Sequence, residues 1–199
     1  MGGRLAAACP AARIVALVMS DVEGDRLDVI SSGPTAADPT TYADSLKVLE
    51  QFGLTELRPR LTQHLRDGAA GKHRETVKPG DKSLARVSHR VIASNQAVQD
   101  AVAETARGLG FFVSRDHRFI SGGAAAEGRR IGGALRRHIA GGQSVCFIAG
   151  GEPVVNVGSA TGLGGPSQEL ALAAAVELDG AEGVLLAALS TDGVDGPPG

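Results

Sequence analysis

Four apolar runs of this sequence end in small and polar residues that could bind a ligand. These clusters are Ser20-Asp21, Ser94-Asn95, Gly150-Gly151-Glu152 and Ser190-Thr191-Asp192. If the runs are parallel strands, their carboxyl ends meet at the edge of the sheet where open α/β sheets bind ligands. Carboxylate and amide oxygens suit a hard cation such as Mg²⁺, which uses one or two carboxylates with phosphate oxygens and water.

Each polar cluster also has a purely structural interpretation. Asp192-Gly193 and Asp195-Gly196 are typical turn dipeptides, and Asp21 to Asp25 has turn character as well. Asn95 is a favourable helix cap. What favours a functional site is that several clusters follow successive predicted strands.

A glycine-rich loop precedes a predicted helix near the C-terminus. The loop runs over residues 158–165, and Pro166 suits the first turn of the helix that follows. Unpaired N–H groups and the helix dipole at such a start attract phosphate or carboxylate. The spacing matches neither the Walker pattern nor Gly-x-Gly-x-x-Gly, so anion binding and a simple tight turn both stay open.

Alternating apolar runs and amphipathic segments predict an α/β fold. Residues 14–20 have the continuous apolar character of a strand buried on both faces. Asp38 or Thr40 is expected to cap a helix from Thr41 to Phe52, and Leu57, Leu61 and Leu65 mark a second helix. Further strands are predicted at 87–93, 111–113, 145–149, 154–157 and 184–189, and further helices after Asn95, at 124–139 and after Pro166. The expected architecture has layered, mostly parallel sheets with helices on both faces.

One charged segment interrupts this alternation. Residues 67–83 have no apolar periodicity and are predicted to form a linker or an exposed loop between two structural units. The predicted domains are therefore 1–84 and 85–199.

Composition excludes several classes of function. The 20 Lys and Arg residues nearly balance the 22 Asp and Glu residues, and the chain has no Trp. This balance gives no electrostatic case for nucleic acid or an anionic membrane. Two distant cysteines without metal-ligand spacing favour a reducing compartment, so a cytoplasmic location is expected.

Five motifs occur in an order that resembles a known family. They are Ser20-Asp-Val-Glu-Gly-Asp25, Ser32-Gly-Pro-Thr35 with Asp38-Pro-Thr40, Gly150-Gly-Glu152, Gly162-x-Gly-Gly165 with Gln168-Glu169, and Thr191-Asp-Gly-Val-Asp-Gly196. Together they are similar to the glycerate 2-kinases of the MOFRL type, some of which carry the label hydroxypyruvate reductase. The resemblance implies ATP-dependent phosphorylation of D-glycerate at its 2-hydroxyl, with Mg²⁺, in a cleft between two α/β domains.

The resemblance also implies roles for individual residues. Asp192 and Asp195 are the expected metal ligands or hydroxyl-proton acceptors, and Asp21 and Asp25 form a second catalytic pair. The expected substrate- and phosphate-binding residues are Ser32, Gly33, Thr35, Asn95, Gly150, Gly151, Glu152, Gly162, Gly164, Gly165, Gln168 and Glu169.

Two features depart from the family pattern. Family members usually carry Arg-Asn before Gln-Glu, whereas this chain has Pro166-Ser167. Family chains are also longer at both ends, and their upstream lysine segment has no counterpart here. The chain is therefore expected to be a fragment with impaired activity and a tendency to self-associate.

Two other functions are alternatives to the kinase hypothesis. One is a non-catalytic remnant that binds an anion or a partner chain. The other is an NAD(P)H-dependent hydroxypyruvate reductase. The absence of a Gly-x-Gly-x-x-Gly motif after a predicted strand argues against this function.

Overall fold

A computed structural model describes residues 1–159, 162–191 and 193–196 of the chain. It divides into two compact units, Met1–Ile92 and Ala93–Gly199. Helices alternate with strands, including a parallel pair, so the predicted α/β class is confirmed. The domain limits of 1–84 and 85–199 stay a prediction.

The first unit combines three α-helices and three short 3-10 helices with a two-stranded sheet. Its α-helices are α1 (Arg4–Ala8), α2 (Tyr42–Gln51) and α3 (Pro59–Ala69), and its strands are β1 (Ile14–Ser20) and β2 (Val87–Ser94), which continues into the second unit. Both helices predicted in this region are present. The N–H of Ile14 donates to the carbonyl of Arg86 at 3.0 Å, so the two strands begin side by side.

Strand β1 is half-buried on one face and exposed on the other, so the prediction that both faces are buried is wrong. Val15, Leu17 and Met19 are 60%, 64% and 70% exposed, while the residues between them are half-buried. The continuous apolar run cannot distinguish these two environments, because burial depends on what other elements cover the second face.

Helix α2 begins one residue later than predicted and has a different cap. The Thr41 hydroxyl accepts from the N–H of Asp44, and the Asp44 carboxylate accepts from the N–H of Thr41, which is a capping box. Asp38, one of the two expected caps, instead accepts hydrogen bonds from the backbone and hydroxyl of Thr40. The expected caps, Asp38 and Thr40, are therefore replaced by Thr41.

The segment 67–83 is not a linker between the two units, since it lies within the first. Its start belongs to α3, and Val77 is only 6% exposed. The N–H of Val77 donates to the carbonyl of Gly2, and its own carbonyl accepts from the N–H of Asp38. The Thr76 hydroxyl also donates to Asp38. Most other residues of the segment are exposed, so it is an exposed loop of the first unit that is anchored at a few points.

The described residues of the second unit form three helices and a parallel strand pair. The helices are α4 (Asn95–Gly108), α5 (Ala124–Ile139) and α6 (Pro166–Glu177), and the strands are β3 (Phe112–Arg115) and β4 (Val145–Ile148). Phe112 lies opposite Val145 in the parallel register. The predicted limits of α5 are confirmed.

Helices α5 and α6 approach closely because α5 presents glycines to its neighbour. A Cβ atom on Gly128 would overlap the Leu170 carbonyl oxygen, and one on Gly132 would lie 2.7 Å from the Cβ of Glu177. Ile131 and Leu170 then meet in the buried cluster of this unit. This pair of helices supports the start of α6, where the candidate site lies.

Two runs predicted as strands form none within the described residues. Only Val154 of the run 154–157 makes a bridge, with Gly123. Residues 184–189 join no strand. None of the helices in the described parts of the chain is long and apolar enough to cross a membrane.

Candidate functional site

The start of α6 is bound by a carboxylate from the C-terminal motif. The Asp195 oxygens accept hydrogen bonds from the backbone N–H groups of Ser167 and Gln168, each at 2.8 Å. The first turn of a helix has N–H groups without partners inside the helix, and a carboxylate placed there also gains from the helix dipole. Asp195 therefore supplies the cap, since Gly165 at the N-cap position has no side chain to do so.

This contact lowers the pKa of the Asp195 carboxyl. Partial burial opposes ionisation, but the N–H bonds from Ser167 and Gln168 outweigh it and lower the pKa of the Asp195 carboxyl below its usual value. The side chain is therefore an anion at neutral pH.

Glycines allow the two motifs to pack backbone against backbone. A Cβ atom on Gly165 would lie 2.5 Å from the Asp195 carbonyl carbon. A Cβ atom on Gly196 would overlap the Gly164 carbonyl oxygen. Gly164 has φ +134° and Gly196 has φ +86°, values that side-chain-bearing residues rarely adopt. These glycines are thus needed for the contact itself, whatever else they bind.

The other predicted residues of this loop lie beside the contact. Gln168 also places its side-chain nitrogen 3.5 Å from the Asp195 carbonyl oxygen. Glu169 is half-buried and its N–H donates to the Gly165 carbonyl within the helix. Gly162 is exposed.

Asn95 lies against the motif Gly150-Gly151-Glu152. A Cβ atom on Gly150 would lie 2.6 Å from the Asn95 side-chain oxygen, so only glycine permits this approach. The Asn95 oxygen accepts from the side-chain amide of Gln99 one helical turn later. The helix cap expected of Asn95 is supplied by Ser94, whose hydroxyl accepts from the N–H of Ala97 at 3.2 Å.

The same motif continues the strand pairing beyond β4. Ile120 donates its N–H to the Gly150 carbonyl at 3.0 Å, and its carbonyl accepts from the N–H of Glu152 at 2.7 Å. Gly151, with φ +154°, sits so close to Ile120 that any Cβ would overlap its backbone. The Glu152 side chain is left exposed, with no hydrogen bond or ion pair in the described part of the chain.

A cluster of charged side chains follows β3, and the sequence did not single it out. Glu127 on α5 is buried and accepts from Arg118 at 2.6 Å and from Arg130 at 2.8 Å, and Arg130 also pairs with Asp116 at 2.6 Å. Burial opposes ionisation of Glu127, but the hydrogen bonds from Arg130 and Arg118 lower its pKa. Asp116 directly follows a strand, which is the same signal that pointed to Asn95 and Asp192.

The first unit holds the remaining predicted binding residues in a strained turn. Ser31, Ser32 and Gly33 have successive φ values of 51°, 64° and 57°. A Cβ on Gly33 would lie 2.7 Å from the Asp28 carbonyl oxygen. Thr35 is half-buried, and its hydroxyl lies 3.0 Å from Nε2 of His89 on β2, a partner that the sequence did not indicate.

The second predicted catalytic pair lies after β1 in the same unit. Asp21 is exposed, and its side chain makes no hydrogen bond or ion pair with a described residue. Asp25 is half-buried with φ 52°, and its N–H donates to the Val22 carbonyl at 3.1 Å. The turn expected from the spacing of Asp21 and Asp25 is thus present.

The structure therefore forms two groups of predicted residues in the second unit. One joins the loop before α6 to Asp195 and Gly196, and the other joins Asn95 to Gly150. No hydrogen bond between described residues links the two groups. Asp192 lies outside the described residues, and the described residues contain no group of three or more His, Cys, Asp or Glu side chains placed to hold a metal ion.

Two known families match the two ends of the chain. Residues 1–66 match a domain of unknown function, DUF4147, and residues 145–199 match the MOFRL family. The second match contains both Gly150-Gly151-Glu152 and the contact between Gly165 and Asp195.

Relatives extend the similarity over nearly the whole chain. A D-glycerate 2-kinase from Thermotoga maritima is 38% identical, with 98% of this chain and 45% of that protein aligned. A glycerate 2-kinase from Pyrococcus horikoshii is 37% identical, with 98% and 44% aligned. A protein from Agrobacterium vitis named putative hydroxypyruvate reductase is 34% identical, also with 98% and 44% aligned.

Solved structures support the same relationship. The crystal structure of the Thermotoga maritima glycerate kinase superposes with a TM-score of 0.75, covering 99% of this chain and 45% of that one. A Pyrococcus horikoshii protein superposes with a TM-score of 0.63, at 34% identity, covering 92% and 42%. The chain spans a little under half the length of these relatives. The resemblance found in the sequence is thus confirmed: the chain is similar to glycerate 2-kinases over 98% of its length, and its residues 145–199 match the MOFRL family.

Proposed function

We propose that this polypeptide forms part of the active site of a glycerate 2-kinase, which transfers the γ-phosphoryl group of ATP to the 2-hydroxyl of D-glycerate. The observation that carries the proposal is 38% identity to a D-glycerate 2-kinase across 98% of this chain. A small charged hydroxy acid and a nucleotide are the ligands, and a cytoplasmic location, where ATP is abundant, belongs to the same proposal.

Asp192 and Asp195 are proposed to act at the transferring phosphate. Each Asp195 oxygen accepts one backbone N–H bond and retains a lone pair, so the carboxylate is compatible with a metal that takes one or two protein ligands. Mg²⁺, when bound, would neutralise charge on the phosphate oxygens. In this assignment Asp195 is fixed by α6, and Asp192 contributes the second carboxylate or accepts the hydroxyl proton.

Phosphate is proposed to bind along the glycine loop rather than at the first turn of α6. The N–H groups of Ser167 and Gln168 already donate to Asp195, so a second anion there would meet a like charge. The backbone of residues 162–164 lies beside this position, and a Cβ atom on Gly162 would meet no described atom within 4 Å, which leaves space for an approaching phosphate. Gly164→Val should weaken anion binding, and unchanged phosphate affinity in a folded variant would favour the simple-turn interpretation.

The remaining predicted residues are proposed to hold glycerate and to orient it. Asn95, beside Gly150, presents an amide, and Gly151 and Glu152 follow it at the same edge. In the first unit, Ser32, Gly33 and Thr35 are proposed to bind substrate, with Asp21 and Asp25 as a second acidic pair. Most of the catalytic effect would then come from positioning and from stabilisation of charge.

Two other functions are tested by the same assays. A reductase is favoured by one observation, the name of the Agrobacterium vitis relatives. A non-catalytic anion- or partner-binding role would leave both activities absent while ligand binding persists. Release of ADP that depends on D-glycerate supports the kinase, whereas oxidation of NADH that depends on hydroxypyruvate would replace it with the reductase.

The activity expected of the 199-residue chain by itself is at most residual. It spans less than half of the kinases it resembles, and Pro166-Ser167 leaves one arginine of the family pattern without a counterpart. If that arginine faces the transferring phosphate in the relatives, its absence would cost about 10²- to 10³-fold in rate. Full turnover by this chain alone would show that the residues present here suffice.

A further inference from the structure

Arg118 is the most exposed member of the charged cluster that follows β3. Its side chain is 55% exposed, whereas the side chains of Glu127 and Asp116 are 8% and 15% exposed. The Arg118 Nη2 group donates to both carboxylate oxygens of Glu127. Its Nη1 and Nε groups donate to no residue in the described parts of the chain. One end of the guanidinium is therefore held by the protein, while its other N–H donors stay unpaired.

Neutralisation of Glu127 does not by itself explain Arg118. Glu127 also accepts from Nε of Arg130 at 2.8 Å, and the Arg130 side chain is 31% exposed. An ion pair formed by a largely exposed arginine adds little to stability, because water screens it and the side chain loses entropy. Arg130 is therefore the main structural partner of Glu127, and Arg118 has donors to spare.

The backbone of Arg118 lies beside the carboxyl end of β4. The N–H of Asp116 donates to the Ile148 carbonyl at 2.8 Å, and the N–H of Ile120 donates to the Gly150 carbonyl at 3.0 Å. The chain is longer between Asp116 and Ile120 than between their two partners, so Arg118 lies in a bulge of the pairing. Such bulges are common next to active sites, where they redirect a side chain.

The side chain of Arg118 ends near the same part of the chain. The Oε1 atom of Glu127 would lie 3.1 Å from a Cβ atom on Gly122, and the Gly122 carbonyl accepts from the N–H of Val154 at 3.0 Å. The carboxylate that holds Arg118 is therefore adjacent to residues that pair just beyond Glu152. Ligands bind at this edge of parallel sheets, outside the carboxyl ends of the strands.

We propose that Arg118 binds the carboxylate of a small hydroxy acid at the carboxyl ends of β3 and β4, with Glu127 as the positioning residue that orients its guanidinium. The identity of the acid, D-glycerate, rests on the proposed function. Guanidinium N–H groups match carboxylate oxygens in geometry and charge. Because Glu127 already restrains the arginine, less side-chain entropy is lost when the ligand binds.

A carboxylate is favoured over a phosphate by the location of Arg118. Arg118 flanks Gly150, which lies against Asn95, the residue proposed to hold glycerate. Phosphate is proposed to bind along residues 162–164. Within the described residues, no hydrogen bond links that loop to the group formed by Asn95 and Gly150.

The first test is the affinity of the 199-residue chain for D-glycerate, measured by isothermal titration calorimetry. Arg118→Gln should raise the dissociation constant at least about 10-fold, because it removes a charged hydrogen-bond donor to the carboxylate. Arg129→Gln is the matched control, since Arg129 is an exposed arginine of α5 with no hydrogen bond or ion pair to a described residue. Equal affinities in the parent chain and Arg118→Gln, or no binding of D-glycerate by the parent chain at millimolar concentrations, would overturn the proposal.

Nuclear magnetic resonance of the parent chain gives a test that does not depend on how the variant folds. The Nε–H signal of Arg118 should shift on titration with D-glycerate and saturate with the calorimetric dissociation constant. The Nε–H signal of Arg129 should stay in place. Glycerol, which lacks the carboxylate, should move neither signal. An Arg118 signal that does not respond to D-glycerate, or that responds equally to glycerol, would overturn the proposal.

Inorganic phosphate separates the two classes of anion. Arg118-dependent binding of D-glycerate that phosphate displaces only weakly supports the carboxylate site. Arg118-dependent binding of phosphate in preference to D-glycerate would overturn the assignment of the ligand. None of these measurements requires turnover, so intact D-glycerate binding without ADP release would count against the kinase function alone. ADP release combined with binding that is independent of Arg118 would overturn this inference alone.

Discussion

The carboxylate of Asp195 accepts hydrogen bonds at 2.8 Å from the backbone N–H groups of Ser167 and Gln168. This contact joins the C-terminal Asp-Gly motif to the helix that follows the glycine-rich loop. Two sequence features that were candidates for phosphate and metal chemistry therefore lie at one place. It also means that an anion from the protein itself already occupies the first turn of α6.

Asp195→Asn should reduce the free energy of unfolding by about 1 kcal/mol, because an amide can accept at only one of the two N–H positions and carries no charge. Chemical denaturation of the variant and the parent chain measures the difference. Asp179→Asn is the matched control, since the Asp179 side chain is exposed and has no partner in the described residues. Equal losses in the two variants would contradict the capping role.

The Asp195 contribution should depend on pH in a defined direction. The pKa of this carboxyl is lowered in the folded chain, so its stabilisation is complete above the unfolded value near 4. As the pH falls through the folded pKa the carboxyl is protonated and the stabilisation is lost. The difference in unfolding free energy between parent and Asp195→Asn should thus be constant from about pH 6 to 8 and shrink below about pH 4. A difference that grows on acidification would show that the pKa of Asp195 is raised rather than lowered in the folded chain.

Gly128→Ala should destabilise the second unit by roughly 1–3 kcal/mol, because the added methyl group overlaps the Leu170 carbonyl of α6. Gly133→Ala on the same helix provides the control. Its nearest neighbour would be the Arg137 side chain at 3.9 Å, so the change should stabilise by up to about 1 kcal/mol through helix propensity. Urea denaturation distinguishes the two, and similar effects at both positions would refute close packing of α5 on α6.

Glu127→Gln should lower the free energy of unfolding by about 1–3 kcal/mol. The substitution removes the buried negative charge that pairs with both Arg118 and Arg130. Glu104→Gln, on the exposed face of α4, should change stability by less than about 0.5 kcal/mol. Thermal unfolding of both variants provides the comparison. A neutral Glu127→Gln would mean that the ion cluster adds nothing to folding.

The sequence predicted helices better than strand environments. Hydrophobic periodicity and local chemistry located α5 and α6, because these signals act within a few residues. The exposure of Val15 and Leu17 on β1 could not be predicted, since a continuous apolar run is compatible with one or two covered faces. Residues 184–189 have the alternation of a strand, yet pairing depends on a neighbour that no local pattern specifies.

The candidate site was likewise predicted only in part, because its residue types are a local feature and its contacts are not. Spacing suggested that Gly164, Gly165 and the Asp-Gly motif bind a ligand, but it could not show that they bind each other. Turn dipeptides and anion loops use the same residue types. The contact of Thr35 with His89 was missed because the two residues are 54 positions apart in the sequence. The contacts of Glu127 with Arg118 and Arg130 were missed because the sequence does not show that Glu127 is buried.

The central claim is that this polypeptide supplies residues to D-glycerate phosphorylation. The most direct measurement is D-glycerate-dependent ADP release by a chimera in which this chain replaces the aligned region of the Thermotoga maritima kinase, before and after Asp192→Asn. We expect turnover by the chimera and a loss of at least about 100-fold in kcat in the variant. Turnover that is unaffected by Asp192→Asn, or a folded chimera that oxidises NADH with hydroxypyruvate and releases no ADP, would contradict it.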